Sequence, residues 1–278
     1  MIIKPLSEER LLAVAKTLPV APQIMARLHT MLLDVNSGLD DVADLLRRDV
    51  SLTTRILRIA NSAAYHGSAL GTIEEAVQRV GFGEVFRLVG VAAIADVADA
   101  RMPCYGYTGE AFSAHNLCTA LVAEGIARKV KSDTRLAYTA GLLRCIGQIL
   151  LDRIGRESLA PSQSFPDSGN GNLIEWERNV FGLAHFEVAS LLLRHWGFPD
   201  AVVRAVAHDH SLDSRPTLLA QQLHLAEAIA RFSGFGLYGE DVSWSIPHSA
   251  LSALDMTLEE ATAIGEKAIA GLTALQEA

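Results

Sequence analysis

The sequence predicts an all-α protein, a multi-helix bundle with an N-terminal helical lobe. Apolar residues recur at helical spacing along nearly the whole chain. Hydrophobic residues make up 50% of the composition but aromatics only 6%, an Ala-, Leu- and Val-rich balance that favours close-packed helices over strands. No alternation of strand and helix patterns suggests a doubly wound sheet.

Taken in order, residues 6–17 and 22–34 have helical periodicity, the second through Ile24, Leu28, Met31 and Leu32, and Pro19 and Pro22 separate them. Asp40 and Asp41 start a helix over 39–48 with Val42, Leu45 and Leu46 inward. Asp49 or Ser51 caps the next, 50–61, which buries Leu52, Ile56, Leu57 and Ile59. Helices over 72–80 and 83–100 are broken at Gly81 and Gly83, and Pro103, Gly106 and Gly109 mark a loop over 102–109. The helical period then returns over 110–131, 134–153, 172–181, 184–196, 199–209, 217–233 and 257–276. The Ser-, Pro-, Gly- and Asn-rich stretch 155–172 reads as a mobile loop. The break at 102–109 divides one module into a lobe over about 1–102 and a histidine-bearing lobe over about 110–235, with 213–278 a helical extension packed on it.

Composition narrows the function. At 278 residues the chain buries a sizeable core, and 20% charged residues exclude a disordered tail protein. The net charge of −8 disfavours generic nucleic-acid binding. Mean hydropathy is +0.23, yet the longest apolar runs, such as Val89 to Ala95, fall far short of the ~20 residues of a spanning helix. The N-terminus shows no secretory signal, and Cys104, Cys118 and Cys145 form no CxxC pair, so a reducing cytoplasm is expected.

Histidines concentrate the chemistry. His115 shares a helical face with Phe112, Cys118, Val122 and Ile126, and His185 shares one with Val188, Ala189, Leu192 and Trp196. His208, Asp209 and His210 close the 199–209 helix, and His224 and Glu227 lie three apart on the following one. Inward histidines from several helices with carboxylates nearby are what a metal site in a helical bundle requires. A core histidine bonded to a carbonyl is the commoner arrangement, and spacing alone does not choose between them. His29, His66, His195 and His248 read as surface or turn residues.

Gly141-Leu-Leu-Arg144-Cys145-Ile-Gly147-Gln148 resembles the central motif of the HD phosphohydrolase superfamily, Gly-Leu-Leu-His-Asp-Ile-Gly-Lys. Leu18-Pro19-Val-Ala-Pro22, Asp49-Val-Ser-Leu52 and Ile59-Ala60-Asn61-Ser62 resemble one branch of it, the HD-related output domain, HDOD. Ile73-Glu-Glu-Ala76-Val77 with Gly81, His185, Trp196-Gly-Phe-Pro199 and His208-Asp-His210 fit the same pattern, which spans about 15–212.

The resemblance implies an HD-like bundle in which His115, His185, Asp209 and His210 match metal-binding positions and Glu227 stands near the last acidic one. Arg144-Cys145 replaces the His-Asp pair, and Gln148 replaces the lysine. Arginine carries a permanent charge and no acceptor, and a thiolate poorly replaces a carboxylate holding a hard cation. Hydrolysis through two metals loses its bridging ligand. The expectation is a pseudoenzyme with no catalytic residue and no cofactor. Three uses of the residual pocket of His115, Arg144, Cys145, His185, His208, Asp209, His210 and Glu227 stay open. Arg144 pairs with Glu227 or Asp209, the pocket takes an anion such as a nucleotide, or His115, His185, Asp209 and His210 hold a single divalent metal.

Arg47, Arg48, Arg55 and Arg58 admit a DNA-binding helix-turn-helix, but Asp40, Asp41, Asp44 and Asp49 interleave with them, which suits a salt-bridged face better. Asn61-Ser62 is expected to end its helix and bond to backbone across the lobes. The resemblance implies a bacterial signal-transduction output or scaffold module working through protein–protein contacts with unidentified signalling proteins. It would act in trans, because the sequence leaves no room for a sensor or receiver domain. Residual phosphohydrolase activity, nucleotide sensing and DNA-binding regulation are the alternatives, and no membrane partner is expected.

Overall fold

A computed structural model describes residues 6–16, 18, 21–34, 37–61, 69–98, 101–166, 171–207, 216–237 and 245–276. The first lobe consists of α1 (Glu8–Ala15), α2 (Ala21–Leu33), α3 (Leu39–Arg47), α4 (Val50–Ala60) and α5 (Ile73–Ala98). Asp49 caps α4 by accepting from the Leu52 amide at 2.9 Å. The two helices expected over 72–100 run as one element with a single kink at Gly81, whose φ of 78° favours glycine.

The expected loop over 102–109 is a small hairpin. Strands β1 (Arg101–Met102) and β2 (Tyr107–Thr108) pair antiparallel, Arg101 opposite Thr108 and Met102 opposite Tyr107. Buried Asp152 anchors the turn by accepting from the Cys104 amide at 3.0 Å.

The second lobe follows as α6 (Gly109–Lys129), α7 (Thr134–Leu143), α8 (Ile146–Ser158), α9 (Leu173–Phe181), α10 (His185–His195), α11 (Asp200–Ala207), α12 (Leu218–Ala230), α13 (His248–Ala253) and α14 (Leu258–Gln276). A π-turn, Arg231–Phe235, continues α12. Helix α6 is the hub: α5 packs on it from the first lobe, α7 and α12 from the second, and α14 along its outer side.

Several expectations are corrected. The single helix over 134–153 is two helices, divided at Arg144–Cys145. Residues 137–152 are buried without interruption, so no polar face marks the change of direction. The stretch 155–172 is structured where described: α8 runs to Ser158, a 3₁₀ turn covers Pro161–Gln163, and Phe165 is buried. The short α13 was not expected. His29 is buried, packed 6.4 Å from the Phe86 ring, rather than exposed. His224 is exposed although Glu227, three residues on, is buried, because the two straddle the edge of the buried stripe. Asn61 ends α4, but its bonds stay within its own lobe: Nδ2 donates to the Leu70 carbonyl at 3.0 Å, and Oδ1 accepts from the Leu70 amide.

Pro19, Ser62, His66, His208, Asp209 and His210 lie outside the described residues, as does the side chain of Pro22. No described helix is long and apolar enough to cross a membrane.

Candidate functional site

The two motif glycines bring the helices of the site together. A Cβ at Gly141 would lie 2.7 Å from the Ala120 Cα, so only glycine lets α7 approach α6 this closely. A Cβ at Gly147 would lie 2.0 Å from the His185 carbonyl oxygen, which seats α8 against the start of α10. The redirected chain between these contacts carries Arg144 and Cys145 into the interior.

Arg144 is the centre of the site. It is only 1% exposed, and its guanidinium reaches three elements. Nη2 lies 2.7 Å from Glu227 Oε1 on α12. Nη1 lies 2.7 Å from His115 Nε2 on α6 and donates to Cys145 Sγ at 3.1 Å. His115 Nδ1 lies 2.6 Å from the Phe235 carbonyl in the π-turn.

These partners fix the histidine tautomer. A guanidinium only donates, so His115 Nε2 accepts; a carbonyl only accepts, so Nδ1 carries the proton and donates to Phe235. His115 is therefore neutral, and its ligand-capable lone pair points at Arg144. The charge of Arg144 is met by the Glu227 carboxylate, itself 1% exposed, with Arg231 Nη2 at 3.9 Å as a second cation. Such an ion pair is retained only where partners replace the lost water.

A second buried cluster holds His185. Glu177, fully buried on α9, accepts from His185 Nδ1 and from the His185 amide, each at 2.8 Å, and from the Tyr105 hydroxyl at 2.8 Å. Burial, and then the Glu177 charge, push the Tyr105 phenol well above its usual range, so it stays a donor. Nearby in sequence, Tyr107 donates to buried Gln148.

Of the pocket residues expected from the sequence, the structure joins His115, Arg144, Cys145 and Glu227, and it ties His185 to Glu177 instead. Sequence reasoning missed Glu177, Tyr105 and Arg231. Glu177 had a signal, since it occupies the apolar stripe of α9 with Leu173, Trp176 and Phe181. Among the described residues, no group of three or more His, Cys, Asp and Glu side chains is arranged to hold a metal ion.

The remaining motif residues hold the frame. Asp49 and Asn61 cap the two ends of α4, and Gly81 kinks α5. Trp196 closes α10, and the Pro199 carbonyl accepts from the first turn of α11.

The HDOD domain profile matches residues 18–212, most of the chain and close to the 15–212 that the motifs suggest. The chain belongs to the HDOD family. Three solved structures share the HDOD fold. One, from Shewanella amazonensis SB2B and provisionally described as a phosphohydrolase, is 24% identical with a TM-score of 0.69, covering 96% of this chain and 97% of its own. An HDOD domain protein of unknown function from Geobacter sulfurreducens is 20% identical with a TM-score of 0.67, covering 97% and 96%. A protein from Marinobacter aquaeolei VT8, provisionally described as acting in signal transduction, is 21% identical with a TM-score of 0.73, covering 99% and 61%. A curated but uncharacterized Treponema pallidum protein is 24% identical over 252 residues. The match takes in 87% of this chain but 47% of the relative, so the chain spans about half the length of that protein. The all-α, HD-like bundle is common to the three structures.

Proposed function

We propose that this HDOD protein is a non-catalytic signal-transduction module, an output or scaffold domain of a bacterial cytoplasmic pathway that works through protein–protein contacts. One observation carries the non-catalytic part. The Arg144 guanidinium lies between His115 Nε2, Cys145 Sγ and Glu227 Oε1, the atoms that would otherwise face a cation. A permanent positive charge there repels a divalent metal, and it uses both the histidine lone pair and the carboxylate. Arg144 acts as a tethered internal cation: it pairs with Glu227, orients His115 and ties α6, the α7–α8 junction and α12 together. The described residues of the site do not suit a resident metal. With its old centre filled by an arginine, the fold serves as a shaped surface.

Family membership and a name given to the Marinobacter protein support the signalling part. The first-lobe arginines support protein contacts over DNA, since Arg47 pairs with Asp44 and Glu74, and Arg55 donates to the Ala92 carbonyl at 3.0 Å.

The test is elemental analysis of untagged protein purified without chelator, together with turnover of a phosphodiester substrate in added Mn²⁺. Substoichiometric metal and no turnover are expected. A full equivalent of metal, or turnover lost on His115→Ala, would overturn the reading.

A further inference from the structure

Away from the buried arginine, an open groove follows the outer side of α6. Its larger compartment, a cavity of about 390 Å³, lies between α6 and α14. A second of about 340 Å³ lies between α5, α6 and the start of α7, and the two share Arg87, Glu124 and Arg128. Each is of the size that small-molecule sites have.

The charge of this groove runs against that of the molecule. The chain has a net charge of −8, yet Arg87, Arg128, Lys129, Arg135 and Lys267 converge here from four helices. They face three carboxylates, each already engaged. Glu84 holds Arg87 at 3.0 Å, Glu124 lies 3.4 Å from Arg87 and 2.9 Å from Arg128, and Glu260 pairs with Lys129. That hydrogen bond with Lys129 pulls the Glu260 carboxyl below its usual range, so it stays charged and committed. Arg135 has Asp133 beside it at 3.8 Å. Lys267 makes no ion pair with any described residue, and the Arg128 side chain is 71% exposed. With Asp133 counted beside the three lining carboxylates, the five cations exceed the negative charges that face them by one.

The floor between them is aliphatic. Leu121 on α6 lines it with Ile264 and Ala268 on α14, and Gly125 keeps the two helices close. A Cβ at Gly125 would come within 2.7 Å of Ile264. An apolar floor under a rim with surplus positive charge suits a ligand that is apolar at one end and anionic at the other.

We propose that this groove binds a phosphate ester of a small organic body. The body lies on Leu121, Ile264 and Ala268, and the phosphate lies between Arg128 and Lys267. Arginine supplies a planar fork that matches two phosphate oxygens, and lysine supplies a point charge. No groove residue belongs to the arginine centre, so the site stands apart from the non-catalytic reading and survives if that reading fails.

The test is calorimetric titration of the full chain with AMP, hexyl phosphate and inorganic phosphate. Saturable binding of at least one ester is expected, with inorganic phosphate about tenfold weaker or worse because it leaves the aliphatic floor uncovered. Binding of AMP alone marks nucleotides as the source, and binding of hexyl phosphate alone marks aliphatic esters. Lys267→Glu and Arg128→Glu should each weaken the ester about tenfold or more, and Lys267→Glu, which breaks no ion pair with a described residue, should leave the thermal midpoint unchanged. Arg204→Glu makes the same charge change on exposed α11 and should leave binding intact. Failure of both esters to bind, equal affinity for inorganic phosphate, or an equal loss in Arg204→Glu would overturn the proposal.

Discussion

Replacing Arg144 by methionine keeps most of the side-chain volume and removes the charge. Glu227, 1% exposed, then loses the cation at 2.7 Å, and among the described residues Arg231 stands farther off at 3.9 Å. Breaking one side of a buried ion pair costs about 3–5 kcal/mol, because the remaining charge loses the counter-charge that replaced its water. At roughly 2–4 °C per kcal/mol for a chain of this size class, the thermal midpoint should fall on the order of 10 °C. The double variant Arg144→Met/Glu227→Leu removes both charges and should recover most of the loss. Recovery should stop about 1–3 kcal/mol short, since His115 Nε2 loses the Arg144 donor in both variants. Thermal unfolding followed by circular dichroism reads all three proteins. A single variant as stable as the parent, or a double variant no better than the single, would refute the claim that Arg144 and Glu227 hold each other.

Gly147→Ala should cost about 1–3 kcal/mol or prevent folding, since its Cβ would meet the His185 carbonyl at 2.0 Å. Gly171→Ala, with nothing within 4 Å, is the matched control, and chemical denaturation compares them. Burial pushes the Cys104 thiol, with Asp152 adding to it, and the Cys118 thiol up to about 12. Cys145 is buried as well. Ellman's reagent at mildly alkaline pH should therefore react slowly with the native protein and reveal all three thiols in denaturant. Burial also lowers the His29 pKa from the usual 6.5, outweighing the pull of Asp133. Between the lowered value and 6.5 the unfolded chain takes up a proton that the folded one refuses, so this contribution to stability is full above 6.5 and is lost as pH falls through that window. His29→Gln should flatten the acid side of a midpoint-against-pH curve relative to the parent, and an unchanged slope would count against a buried neutral ring.

Much of the fold was legible because helices announce themselves locally. The caps at Asp49 and the break at Gly81 follow from side-chain oxygens near free amides and from the one residue that takes positive φ without cost. The division of the 134–153 helix was not legible, since a turn inside a fully buried stretch leaves the apolar pattern unbroken. The burial of His29 was hidden for a related reason: the ring packs beside Phe86 on another helix, which no local window contains.

The sequence by itself determined the helical class, the family motifs and the loss of the His-Asp pair, because each is written in neighbouring residues. It also offered Arg144 two carboxylate partners, Glu227 and Asp209. Only the tertiary structure brought Glu227 to 2.7 Å from Arg144 and set His115 on the other side of the same guanidinium, while Asp209 lies outside the described residues. It gave His185 to Glu177 and gathered cations from four helices into one groove. Those pairings depend on where helices cross, and crossing is set by packing, through contacts as close as that of Gly147 with the His185 carbonyl.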